Sequence, residues 1–484
     1  MFGKLCLLII ILTASAAVVV PEVKAEAREI GAEDSVVVTK LCSFDKPLID
    51  PTDESNSKFC DCDVENSPPW GIPVVLINCQ DHHFQNAIFQ VKILPQGTIR
   101  LDLSYNKLTS IPSFVSEKLQ YLSVRHNEIA SLTDKNFANV TMLLELDISE
   151  NNIELINSDA FIGLTLLRKL NLAENKIKTI QPNAFSVFSY LEHLILSHNP
   201  LGEFLNSSEN DIFLRLGVTP RLHNIELENC TITKIDLSSG VGLDNIVLGS
   251  NQLFQIPNLP KQLSLLDISD NPIRVMTAKF LPHLHNLQHL IMQDMPNLYK
   301  LEEFALFGLP RLTNLNLQGS RNLTVIDPYI FGKNVVLNET DTVLEHLNLK
   351  GTSIKTLNSS LEFAFERLAV LDLTGAPLNC DCQLQWIKHL GNATVHGSCT
   401  KPMSLRGHQL VDLEQDQFKC KVEKSWVYMM FNVLLVILLI VLVLAAIYLV
   451  YIAIRPRQKV QMRKPGSNSP YARVTIEPNQ MENL

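Results

Sequence analysis

LDLSYNKL at Leu101–Leu108 returns as LSVRHNEI at Leu122–Ile129, LDISENNI at Leu146–Ile153, LNLAENKI at Leu170–Ile177 and LILSHNPL at Leu194–Leu201. It returns again as IELENCTI at Ile225–Ile232, IVLGSNQL at Ile246–Leu253 and LDISDNPI at Leu266–Ile273. Looser copies centre on Met295, Ser320, Thr352 and Ala376. A repeat of this length supplies one short strand and a return segment. Its leucines cannot be buried by one copy alone, so neighbouring copies must stack.

The pattern L-x-L-x-x-N-x-L, carried by those residues, resembles the extracellular leucine-rich-repeat family over about 42–420. The resemblance implies an α/β-type repeat solenoid, a horseshoe with a parallel β-sheet on its concave face. About twelve repeats fill 80–376. The family pattern also implies that Asn106 to Asn199 form a ladder of side-chain amides at the strand-to-turn bend. Phe137, Phe161, Phe185, Phe307 and Phe331 are expected to stack as an apolar spine. Cys230 replaces one ladder asparagine and reads as a buried free thiol.

A solenoid end exposes an apolar layer and needs a cap. Cys42, Cys60, Cys62 and Cys79 precede the first repeat, and Cys380, Cys382, Cys399 and Cys420 follow the last. In an oxidising compartment such groups read as disulfide caps, at 42–79 and 377–420, with three possible connectivities each. The run LNCDCQLQW at 378–386, with Cys399-Thr400-Lys401-Pro402, resembles the family's C-terminal flanking domain. The resemblance implies Cys380–Cys399 and Cys382–Cys420, and by extension Cys42–Cys62 and Cys60–Cys79.

The chain ends set the context. Lys4 followed by LCLLIIIL at Leu5–Leu12 reads as a signal peptide, 1–16, with Ala25 a second cleavage candidate. The apolar stretch 426–454 is long enough to span a membrane. The basic residues Arg455, Arg457, Lys459, Arg463 and Lys464 follow it and place the C-terminus in the cytoplasm. The expectation is a single-pass type I protein of the plasma membrane, with its N-terminus outside. The net charge of −9 divides accordingly. Six basic and two acidic residues after Ile454 give +4, and Lys4 gives +1, which leaves −14 between them. Such a surface disfavours nucleic acid as a partner. The tail, 455–484, is proline-containing and reads as disordered, and Tyr471 to Val474 (YARV) resembles a tyrosine-based sorting signal.

N-x-S/T sequons at Asn139, Asn206, Asn322, Asn338, Asn358 and Asn392 are expected glycan acceptors. Asn229 is set aside, because its middle residue is Cys230 and it adjoins a packed ladder.

No glycine-rich phosphate loop, H-E-x-x-H, G-x-S-x-G or EF-hand pattern occurs. His82-His83 and His283, His285 and His289 match no established metal-site spacing. The expectation is therefore no enzyme, no cofactor and no metal. Function should lie on the strand-side surface, where period-two alternation turns the residues between the leucines outward. Tyr121, Arg125 and His126 are the candidate anchors, since aromatic and Arg side chains dominate binding hot spots. Glu145, Asp147, Lys169, His193 and Glu226 complete the candidate face, whose acidic members favour a partner with basic patches. The expected role is a cell-surface receptor or adhesion molecule that holds an extracellular or cell-surface protein. The alternative is a ligand-presenting or decoy co-receptor in innate immune or growth-factor signalling, without a signalling domain of its own. In both cases a co-receptor is a possible partner.

Overall fold

The computed structural model describes residues 41–42, 60–65, 74–86, 93–134, 136–206, 211–281, 284–333, 343–391, 393–420 and 426–455. The signal segment, Asn338, Asn392, Tyr471 and Val474 lie outside them.

Each motif copy supplies one strand of a fifteen-stranded sheet, beginning at Thr98–Asp102 and Tyr121–Ser123 and ending at Val370–Asp372. Both flanks continue it, Asp61–Glu65 and Val74–Asn78 on one side and Thr394–His396 on the other. Pairing is parallel throughout, except for the first pair, Asp61–Glu65 on Val74–Asn78. Most strands are only three residues long. The central residue points inward and is almost wholly buried, as at Leu122, Leu146, Leu170 and Leu194. Each such leucine contributes about 1.5–3 kcal/mol of burial, and stacking in register makes one continuous core.

The ladder closes the bend after each strand. Asn175 shows its chemistry. Its Nδ2 donates to the carbonyls of Ile148, Leu172 and Ala173 at 3.0–3.2 Å, and its Oδ1 accepts the Ile153 N–H at 3.1 Å. Asn127, Asn151, Asn199, Asn251 and Asn271 repeat the donor pattern. Cys230 takes the same place with its thiol 3.4 Å from the carbonyls of Leu196 and Glu228. Burial pushes that thiol up to about 11, so it stays protonated and inert. Further along, Ser320 and Thr352 use hydroxyls for part of the job.

The phenylalanine spine is real but broken. Phe137, Phe161 and Phe185 stack with centroids about 6 Å apart, and Phe188 joins them. Phe331, edge-on to Phe365, and Trp386, tilted against it, form a second ring cluster towards the C-terminal flank, where Trp386 donates its indole N–H to the Leu357 carbonyl. Phe307 does not belong to either. It is 38% exposed and lies edge-on to Phe304. Aligning Gly308 with Gly163 explains the displacement. Leu306 then takes the inward place of Phe161, and Phe307 matches the exposed Ile162.

In the flanks, Cys42 is bonded to Cys62, Cys60 to Cys79, and Cys380 to Cys399. Cys382 and Cys420 are also disulfide-bonded.

One backbone feature recurs. The residue before each ladder position adopts a left-handed conformation. Tyr105, His126, Glu150, Glu174, His198, Asn229, Ser250, Asp270 and Asp294 have φ of 50–59°. Gly319, Gly351 and Gly375 then take over. Gly319 is held by more than its φ of +74°, because a Cβ there would meet Asp294 Oδ1 at 1.9 Å. At Gly351 the nearest atoms would be 3.8 Å away. Gly351→Ala is therefore expected to cost about 1–2 kcal/mol of backbone strain. Gly319→Ala should cost clearly more. Denaturant midpoints of the two variants check this, and equal losses would show that Asp294 yields freely.

A separate unit, Cys420–Leu484, contains the helix Trp426–Ile454. Its part from Met429 to Ile454 is long and apolar enough to cross a membrane, by length and composition.

Candidate functional site

The strand register sorts the candidate residues into three rows. Tyr121, Glu145, Lys169 and His193 are direct neighbours on successive strands, flanked by Arg100 and Asn224. Asp147 and Glu226 lie in the next outward row, separated by Asn171 and Ile195. Arg125 and His126 stand apart at the rim, beyond the strand.

The two anchors of the first row and rim are held differently. The Arg100 guanidinium lies 3.7 Å from the centre of the Tyr121 ring. Burial pushes the Tyr121 hydroxyl above its usual value, against the pull of Arg100. At the rim, Arg125 Nε–H donates to Glu150 Oε1 at 2.7 Å, and a terminal guanidinium nitrogen donates to the same oxygen. His126 Nδ1 is 2.7 Å from Glu150 Oε2, and its ring stacks on Tyr105 at 4.6 Å. Burial pushes the Glu150 carboxyl up, but the hydrogen bonds from His126 and Arg125 outweigh it and hold the group below its usual value. The Glu150 hydrogen bond in turn raises Arg125. Tyr105, His126, Arg125 and Glu150 thus form one preorganised rim cluster around a shared carboxylate.

Asp147 has a local task as well as an outward face. Its Oδ1 accepts the Ser149 backbone N–H and hydroxyl at 2.9 and 2.6 Å. Asp102 and Asp267 do the same for Ser104 and Ser269. These acids turn the chain out of the strand and keep one oxygen for a partner. Glu226 accepts from Asn224 Nδ2 at 2.8 Å.

The face continues beyond the sixth copy. In the outward row Ile195, Glu226, Val247, Asp267 and Ile291 are adjacent in register, alternating apolar and acidic, and all are half-buried. Leu265 stands beside Asn245 and His289 in the first row. Among the described residues no ion pair engages Glu226, Glu228, Asp267, Asp270 or Asp294. The same L-x-L spacing marks Val247, Asp267 and Ile291, so their place was readable. Glu150's role was not, because the partners it clasps come from the preceding repeat.

The described sequons lie off the strands. Asn139, Asn322 and Asn358 are exposed, and Asn206 is half-buried. Among the described residues no three His, Cys, Asp or Glu side chains gather as a metal site.

A stacked parallel sheet, an asparagine ladder and disulfide-bonded flanks define the class: the chain carries a leucine-rich-repeat solenoid of the extracellular type and, among the described residues, one apolar membrane-length helix near its C-terminus. The family profile "Leucine rich repeat" matches residues 117–176 and 159–201. The chain is 29% identical to Tsukushi of Gallus gallus over 317 residues, covering 62% of this chain and 73% of that protein. It is 28% identical to vasorin of Mus musculus over 193 residues, covering 34% of this chain but only 28% of vasorin. Among solved structures it is similar to the chain in "Crystal structure of TLR13-ssRNA13 complex", with 23% identity, a TM-score of 0.49, and coverage of 69% of this chain and 53% of that one.

Proposed function

We propose that this chain is a non-enzymatic recognition protein that holds an extracellular protein on the concave face of its solenoid. The observation that carries the reading is the outward row from Ile195 to Ile291. Half-buried apolar side chains there alternate with the carboxylates of Glu226 and Asp267, which among the described residues form no ion pair. Apolar area gives a partner something to bury, and uncompensated negative charge selects a partner with basic patches. Tyr121 and the rim cluster around Glu150 supply ordered anchors at the N-terminal end of the same face. The helix Trp426–Ile454 anchors the chain as a single-pass protein of the plasma membrane, with the solenoid outside.

An ectodomain–Fc fusion presented to a library of secreted and surface proteins tests the reading. Absence of any specific binder at micromolar concentration would sink it. Given a binder, Glu226→Lys and Asp267→Lys are each expected to weaken it about tenfold, with the loss shrinking as salt is raised. An unchanged affinity in both variants would move the contact elsewhere. Homophilic clustering of cells that display the chain would assign it to adhesion. Saturable capture of a soluble ligand without clustering would assign it to presentation or sequestration.

A further inference from the structure

Asn229-Cys230-Thr231 is a sequon that sequence reasoning rejects, for its middle cysteine and for its closeness to the ladder. The structure answers both objections. Cys230 is fully buried and is the free cysteine among the described residues, all others of which are disulfide-bonded. No disulfide of the folded structure therefore ties down this segment. The ladder is entered by Cys230 and not by Asn229, which sits one residue earlier in the left-handed conformation, φ 50°. Cys230 lies in the core and Asn229 in solvent. Asn229 is exposed at the rim, and its Nδ2 lies 3.1 Å from His198 Nδ1. A carboxamide nitrogen carries two hydrogens, so one remains for this contact after the other is replaced.

We propose that Asn229 carries an N-linked glycan. The step joins Asn229 Nδ2 to the anomeric carbon of an oligosaccharide held on a polyprenyl diphosphate. The bond from that carbon to the diphosphate oxygen breaks, the lipid diphosphate leaves with its electron pair, and Nδ2 gives up one proton. The glycan stands on the rim beside Glu228 and His198, whereas Asn139, Asn206, Asn322 and Asn358 lie away from the strands. It therefore screens the rim at the middle of the concave face, and a protein ligand that uses the Glu150 cluster must lie to the N-terminal side of it. That last consequence rests on the recognition reading above. The modification itself rests only on passage through the secretory pathway.

The test uses the full chain expressed in animal cells and purified from membranes. Enzymatic deglycosylation in heavy-oxygen water, followed by peptide mass spectrometry, is expected to find Asn229 converted to labelled aspartate. Asn229→Gln and Thr231→Ala should each remove one glycan from the gel mobility, while Thr231→Ser keeps it. Labelled Asn139 and Asn358 with an unlabelled Asn229 would overturn the proposal alone. No label at any site would overturn it together with the secretory reading.

Discussion

Asn175→Ala is expected to destabilise the solenoid by roughly 3–5 kcal/mol, among the largest effects of any single substitution in this chain. The Ile153 N–H loses its partner, the carbonyls of Ile148, Leu172 and Ala173 each lose one of two donors, and the side chain is only 6% exposed. Buried groups left without a partner cost more than the lost bonds themselves. The neighbouring amides Asn151 and Asn199 keep hold of the Ile148 and Leu172 carbonyls but cannot reach the Ile153 N–H, because each already spans two successive bends. Cys230 shows what a lesser residue achieves, since its thiol keeps two of the carbonyl contacts. Asn175→Cys should therefore lose visibly less than Asn175→Ala. Urea unfolding of the secreted ectodomain checks the pair. A loss below about 1 kcal/mol for alanine would mean that water replaces the amide.

The second large effect lies on the opposite side of the repeat. Phe161→Ala should cost about 3–5 kcal/mol. The ring is fully buried between Phe137 at 6.2 Å, Phe185 at 6.0 Å and Phe188 at 5.2 Å. Its removal leaves a cavity that three rigid rings cannot collapse into. Phe307→Ala is the matched control, since an exposed ring outside the stack should change stability by less than about 0.5 kcal/mol. Thermal unfolding of both variants decides the matter, and similar losses would reject the one-residue displacement of Phe307.

The repeat architecture was legible because inward leucines and ladder asparagines must recur at fixed spacing for copies to stack. That logic placed the leucines from Leu101 to Leu266 and the ladder from Asn106 to Asn199 without any tertiary information. It failed at Phe307, where residue type was read without aligning Gly308 to Gly163. It also saw the concave rows only as sums of outward residues. The register makes neighbours of Tyr121, Glu145, Lys169 and His193. Which of their charges are already spent could not be read from spacing. Glu150 clasps Arg125 and His126 across a repeat boundary, and Asp147 binds its own turn. Both contacts depend on side-chain reach rather than on periodicity. The exposure of Asn229 was not legible for the same reason, since one residue of displacement from the ladder separates burial from exposure.

The left-handed row has a consequence for engineering. An L-residue in that conformation is about 1 kcal/mol worse than glycine, by steric crowding of its Cβ. From Tyr105 to Asp294 the chain nevertheless keeps a side chain at every such position, and only from Gly319 onward does it accept the easier residue. Stability and display are therefore opposed in the same atoms. Glycine substitutions along the first part of the row would relieve that strain but erase the side chains displayed there, among them Tyr105, His126 and Glu150 of the rim cluster. Stabilising substitutions that leave the proposed recognition face intact belong on the convex side.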